Sequence, residues 1–241
     1  MTDAVERVGR RYLPRGWTDL GRQLLIWFGF LLVYQLVRGL ADRSPAAAFH
    51  NGLRVIDFET GVNALYELTL QRIASQSHWL WDAVSWTYWN SEFTVVGLAL
   101  LWVYLRRHDH FYRFRNWILL ANVFGLVGYV LLPTAPPRMF PSFGFVDAHR
   151  DGVVQLAANP YAAMPSLHAA DALIVGVTLA MICRRPIFKL FWALWPFWVW
   201  FSVMATGNHF WLDILAGNLV ALLAACVIYR EPLRRRILAR A

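Results

Sequence analysis

Long apolar runs alternate with short basic ones along this chain. Residues 23 to 41, 93 to 105, 116 to 133, 187 to 206 and 210 to 229 meet or approach the ~20 mostly apolar residues that a spanning helix needs, and a sixth run extends from Leu167 to Cys183. The second run is short, but "WLWDAVSWTYWNSEF" (79 to 93) extends it outward through an aromatic belt. Residues 44 to 78 contain Pro45, Gly52 and Gly61, then "ALYELTLQRIA", whose Leu65, Leu68 and Ile73 alternate with charge. That pattern predicts a loop followed by an interfacial amphipathic helix. Pro133, Pro136, Pro137 and Pro141 end the third run and predict irregular chain over 134 to 165.

Composition agrees with a bilayer as solvent. Of 241 residues 58% are hydrophobic and 16% charged, with 13 tryptophans and a mean hydropathy of +0.40, whereas soluble domains carry about 25% charge. The net charge of +8 does not point to nucleic acid, because the arginines cluster between apolar runs and form no continuous basic face. Arg7, Arg10, Arg11, Arg15 and Arg22 precede the first run, and Arg106, Arg107, Arg113 and Arg115 join the second and third. Arg184, Arg185 and Lys189 join the fourth and fifth, and Arg230, Arg234, Arg235, Arg236 and Arg240 follow the sixth. With six spans all four clusters fall on one side, which basic residues mark as cytoplasmic.

The expectation is therefore one all-α membrane domain over 1–241 with six transmembrane helices, in the plasma (inner) membrane, both termini cytoplasmic. Residues 1–22 form a basic cytoplasmic segment, and 42–92 and 134–167 are extracytoplasmic. "SPAAAF" after the first run resembles a signal cleavage site, but the basic segment ahead of a nearly 20-residue run predicts an uncleaved anchor. Cys183 and Cys226 have no metal-ligand spacing, and neither a disulfide framework nor a zinc site is supported. His108 and His110, in a cytoplasmic loop, are expected to be solvated. Nothing assembles three or four metal ligands, and no cofactor is implied.

Three polar stretches converge on the outer face: "PTAPPRMF" (133 to 140), "MPSLHAAD" (164 to 171) and "TGNHFWLD" (206 to 213). Ionisable groups at such depth are costly and mark function by default. His209 and Asp213 are spaced i, i+4, so on a helix they share one face and the carboxylate orients the imidazole. The other ring nitrogen then becomes a usable nucleophile. Pro165 and Ser166 begin a helix whose free N–H groups suit a phosphate. His168 is placed to protonate a leaving oxygen, and Arg138 offers a guanidinium fork for phosphate oxygens. These parts make a phosphoryl-transfer site. Asp171, at i+3 from His168, either tunes that imidazole, binds an acceptor hydroxyl, or is satisfied inside the bundle. Tyr161 is one of several aromatics that either stack on a polyol head group or belong to the interfacial belt.

"PPR", then "PSLH", then "HFWLD" about 40 residues later resembles the type 2 phosphatidic acid phosphatase superfamily, and most closely its inositol phosphorylceramide synthase (inositolphosphotransferase) branch. The resemblance implies a six-helix bundle and a phosphohistidine on His209 oriented by Asp213. It also implies His168 as general acid and Arg138 and Ser166 as phosphate ligands. Where the superfamily has a lysine seven residues before the arginine this chain has Leu131, and where it has Ser-Arg before the nucleophile this chain has Ser202 and Val203. Asn208, the Gly207 backbone, His149 or Arg150 are the substitutes at hand. Fewer cations suit a phosphodiester donor, which carries less negative charge than a phosphomonoester. The implied activity is a lipid phosphotransferase acting on a phospholipid donor and a lipid or polyol acceptor, with a phosphatase using water as the alternative.

Overall fold

The computed structural model describes residues 13–40, 44–147 and 161–238. Its helices are α1 (Gly16–Leu40), α2 (Pro45–Gly61), α3 (Glu67–Ser75), α4 (His78–Asn90), α5 (Val96–Arg106), α6 (His108–Leu131), α7 (Leu167–Ile182), α8 (Pro186–Ala205) and α9 (Trp211–Leu238). A π-helical segment, Ser91–Val95, joins α4 to α5. Among the described residues no strand forms, and Thr134 and Ala162 make a lone parallel bridge. Among the described residues four helices are long and apolar enough to cross a membrane: Gly16–Val37, His108–Leu131, Pro186–Ala205 and Trp211–Arg230. Of the two other predicted runs, one is the inner part of a continuous helical stretch from His78 to Arg106, and the other is the 16-residue α7.

Many large apolar side chains face outward, among them Leu25, Phe28, Leu32 and Leu36 on α1 and Leu215, Leu219, Leu222 and Leu223 on α9. In water such a surface would be unfavourable; against lipid tails it costs nothing. Inside, α7 is the hub. Its Leu167, Ala169, Ala170, Ile174 and Val175 are buried against α5, α6, α8 and α9, with α8 its most extensive neighbour. The alanines bring neighbouring helices close, the usual basis of packing where no hydrophobic drive exists between helices.

Contacts sort the bundle into two ends. At one, Tyr104 and Tyr112 donate to Asp19 near the start of α1, and Arg107 Nε donates to Ile182 O at the end of α7. The starts of α1 and α6 and the ends of α5 and α7 therefore lie together. At the other end a second apolar cluster joins Ala48, Val55 and Ile56 of α2 to Phe140, Phe145 and Phe210.

Two expectations need correction. Residues 44 to 78 form two helices rather than a loop and one helix. Pro45 sits in the first turn of α2, where its missing N–H is not needed. Gly52 lies inside α2 because a Cβ there would stand 2.6 Å from the Phe140 ring. His108 is not solvated: it is half-buried, with Nδ1 3.2 Å from Tyr104 O and its ring stacked on Phe111.

Candidate active site

The three polar stretches meet at the end of the bundle that carries the second cluster. α8 stops at a tight turn in which Gly207 adopts φ +69°, a conformation that side chains disfavour. Asn208 N and His209 N both donate to Val203 O, at 3.0 and 3.2 Å, and so satisfy a carbonyl in the last turn of α8. The turn delivers His209 to a buried position just ahead of α9. Its Nδ1 is 2.9 Å from Ala163 O and 3.4 Å from Asp213 Oδ2. Both partners are acceptors, so Nδ1 carries the proton and Nε2 keeps its lone pair.

The start of α9 is held by carboxylates. Asp213 Oδ2 accepts from Phe210 N at 2.8 Å, Glu67 Oε1 from Trp211 N at 2.7 Å, and Glu59 Oε1 from Leu212 N at 3.2 Å. Three of the donors that a helix start leaves open are thereby satisfied by negative or polar groups on the favourable side of its dipole. Glu59 and Glu67 are fully buried and face one another, their outer oxygens without other partners. Burial, and then the charge of Glu67, pushes the Glu59 carboxyl up to about 9, and burial also raises Glu67. Each carboxyl thus favours its protonated form, Glu59 the more strongly.

Opposite His209, the loop 161–166 descends onto glycines. Pro165 packs on Gly128 and Leu167 on Gly125 of α6. Ser166 caps α7, its Oγ accepting from Ala169 N at 3.3 Å, and Ser166 N donates to Asp213 O at 2.9 Å. That bond ties the two histidine-bearing segments together. The rings of His168 and His209 stand 5.5 Å apart. Arg138 closes the site: its backbone N donates to Gly207 O at 2.9 Å and its Nη1 to Asn208 Oδ1 at 2.6 Å, with Asp147 3.8 Å from its Nε. Asn208 is fixed in turn by donating to Thr206 Oγ1 at 2.8 Å.

His209, Asp213, His168, Ser166, Arg138 and Asn208 are thus brought together. Asp171 lies deeper in α7, where Asn122 Nδ2 donates to both its oxygens at 2.9 and 3.2 Å. Tyr161 lies to the side, its carbonyl accepting from Thr134 N and its ring against Phe49. Leu131 is exposed at the end of α6 and Val203 is buried, so neither position supplies a cation. His149 and Arg150 are outside the described residues. Sequence reasoning missed Glu92, which meets His168, and the roles of Glu59 and Glu67. An acid inside the apolar run 79 to 106 is the signal that marks Glu92.

A family model described as the PAP2 superfamily matches residues 53–227. Phosphoinositol dihydroceramide synthase of Bacteroides thetaiotaomicron is 26% identical over 172 residues, which cover 61% of this chain and 55% of that one. The match thus spans about half the length of that relative. Among solved structures, LpxE of Aquifex aeolicus superposes with a TM-score of 0.52 at 15% identity, covering 67% of this chain and 93% of LpxE. That likeness concerns the fold.

Proposed function

The chain belongs to the PAP2 superfamily, and from that premise we propose that it is an integral membrane lipid phosphotransferase. It moves a phosphoryl-bearing group, an inositol phosphate, from a phospholipid donor to the hydroxyl of a second lipid or glycolipid through a phosphohistidine. One observation carries the reading: His209 has its Nδ1 held between Ala163 O and Asp213, which leaves Nε2 as nucleophile beside His168 and the Arg138–Asn208 pair.

In the first half-reaction His209 Nε2 bonds to phosphorus as the bond to the lipid alcohol breaks, and His168 gives its proton to the departing oxygen. In the second, the acceptor hydroxyl yields its proton to the His168 imidazole as its oxygen displaces His209 from phosphorus. Arg138 and the N–H groups at the start of α7 stabilise charge on the non-bridging oxygens. The name of the Bacteroides relative supports an inositol phosphate as the group moved. The lack of a cation at Leu131 and Val203 supports a diester donor.

The test is incubation of the purified protein with isotope-labelled phospholipids, with and without lipid alcohols or glycolipids, and identification of products by mass spectrometry. A labelled head-group phosphate joined to the acceptor is the expected result. Release of label only into water-soluble phosphate, whatever the acceptor, makes the protein a phosphatase.

A further inference from the structure

Two imidazoles meet in the site, and each is met by a carboxylate. His209 has Asp213 on the adjoining helix. His168 has Glu92, whose Oε2 lies 3.3 Å from His168 Nε2 with both side chains nearly buried, 11% and 6% exposed. The other Glu92 oxygen accepts from Tyr34 Oη on α1 at 3.0 Å. Tyr88 stacks on His168 with centroids 4.6 Å apart and 20° between planes. Glu92 lies in the π-helical segment Ser91–Val95, where an extra residue in the turn re-aims side chains and where functional groups often sit.

A carboxylate at such depth is costly unless paired. Here the pairing is complete and specific: one oxygen to an imidazole, the other to a phenol from a helix that lies outside the family match. We propose that Glu92 is the positioning carboxylate of His168. It holds Nε2–H, so that Nδ1 presents the proton to the leaving oxygen, and through Tyr34 it ties the first helix to the chemistry. Tyr88 on α4 and the His209 ring ahead of α9 also stand against His168, while Asp171, one turn on in α7, is engaged by Asn122 of α6.

This role rests on the phosphotransfer reading, since it needs a leaving oxygen that requires a proton. The test compares two dodecyl phosphodiesters in detergent micelles with the full-length protein, one losing p-nitrophenol and the other dodecanol. A nitrophenolate leaves without a proton donor; an alkoxide does not. Glu92→Gln should lose about 10- to 100-fold on the dialkyl ester and under about 3-fold on the nitrophenyl ester. Tyr34→Phe, which removes only a hydroxyl, should show the same contrast at smaller amplitude and reads the proposal even if Glu92→Gln fails to fold. Equal losses on both esters, or none on either, would overturn the proposal alone. A wild-type protein inactive on both overturns the phosphotransfer reading and this one with it.

Discussion

Gly217 lies so close beneath Ser166 that a Cβ on it would stand 2.1 Å from the Ser166 carbonyl oxygen. One turn earlier on the same helix, Asp213 O accepts from Ser166 N at 2.9 Å. The two facts belong together, because the backbones can bond only where no side chain holds them apart. Gly217→Ala must push the α7 start from α9 against a backbone atom that cannot swing aside. Such overpacking costs about 1–3 kcal/mol, and displacement by about 1 Å can cost about 100-fold in rate. The variant should insert and melt at a modestly lower temperature yet lose most of its transfer activity. Unchanged activity would mean that the α7–α9 contact does not set the geometry of the site.

Hydrogen bonding supports His209 as the proposed nucleophile. His209 Nδ1 meets two acceptors, Ala163 O and Asp213 Oδ2, whereas His168 meets Glu92 through Nε2. His209→Ala should abolish both transfer and any acid-labile, base-stable phosphoenzyme trapped from labelled donor. His168→Ala should still accumulate label with a donor whose leaving group is acidic. Asp213→Asn should lower the rate by about 100-fold or more, because an amide can present its N–H to Nδ1 and turn the ring tautomer. Phosphoenzyme in His209→Ala but not in His168→Ala would reverse the two roles.

How much of this was legible from sequence depends on how far apart the partners lie. His209 with Asp213, and Ser166 with His168, sit within single stretches, so the few residues between them keep each pair close. The arginine clusters order the spans because they recur at every second junction. Glu92 with Tyr34, Glu67 with Trp211 and Glu59 with Leu212 are separated by 58, 144 and 153 residues. Periodicity within a helix carries no information about which face of another helix it will meet. The first helix of the 44–78 region, α2, was illegible for a local reason: Pro45 and Gly52 read as breakers, yet one occupies a first turn and the other a crossing point.

The Glu59–Glu67 pair makes stability fall as pH rises. In the unfolded chain both carboxyls lose their protons near pH 4.3, whereas burial keeps a proton on the folded pair well above that, with Glu59 held up to about 9. Between those limits the folded state binds more protons than the unfolded one. Raising pH through that window therefore withdraws stability. Glu59→Gln keeps an oxygen for Leu212 N and donates an N–H to Glu67 without a titrating proton. Its melting temperature in detergent should vary less with pH between 5 and 9 than that of the wild type, the difference being greatest at the alkaline end. Parallel curves for the two proteins would show that the pair does not keep a proton.

Sidedness is the last prediction, and it follows from charge joined to the packing of the two ends. Every Lys and Arg except Arg38, Arg43, Arg54, Arg72, Arg138 and Arg150 falls in the four segments read as cytoplasmic. Two of those segments, the α5–α6 junction and the chain after α7, are brought together by the bond from Arg107 to Ile182 O, and the start of α1 joins them through Asp19. His209, His168 and Arg138 belong to the opposite end, and basic residues near span ends are retained on the cytoplasmic side. The site should therefore open to the outer leaflet, where a lipid head group enters sideways from the bilayer. Ser142 and Arg184 are exposed at the two ends. Cysteines placed singly there, in a background lacking Cys183 and Cys226, should react differently with a membrane-impermeant thiol reagent on intact cells. Labelling at 142, with 184 reacting only after the membrane is opened, is the expected outcome; the reverse pattern would move the chemistry to the cytoplasmic face.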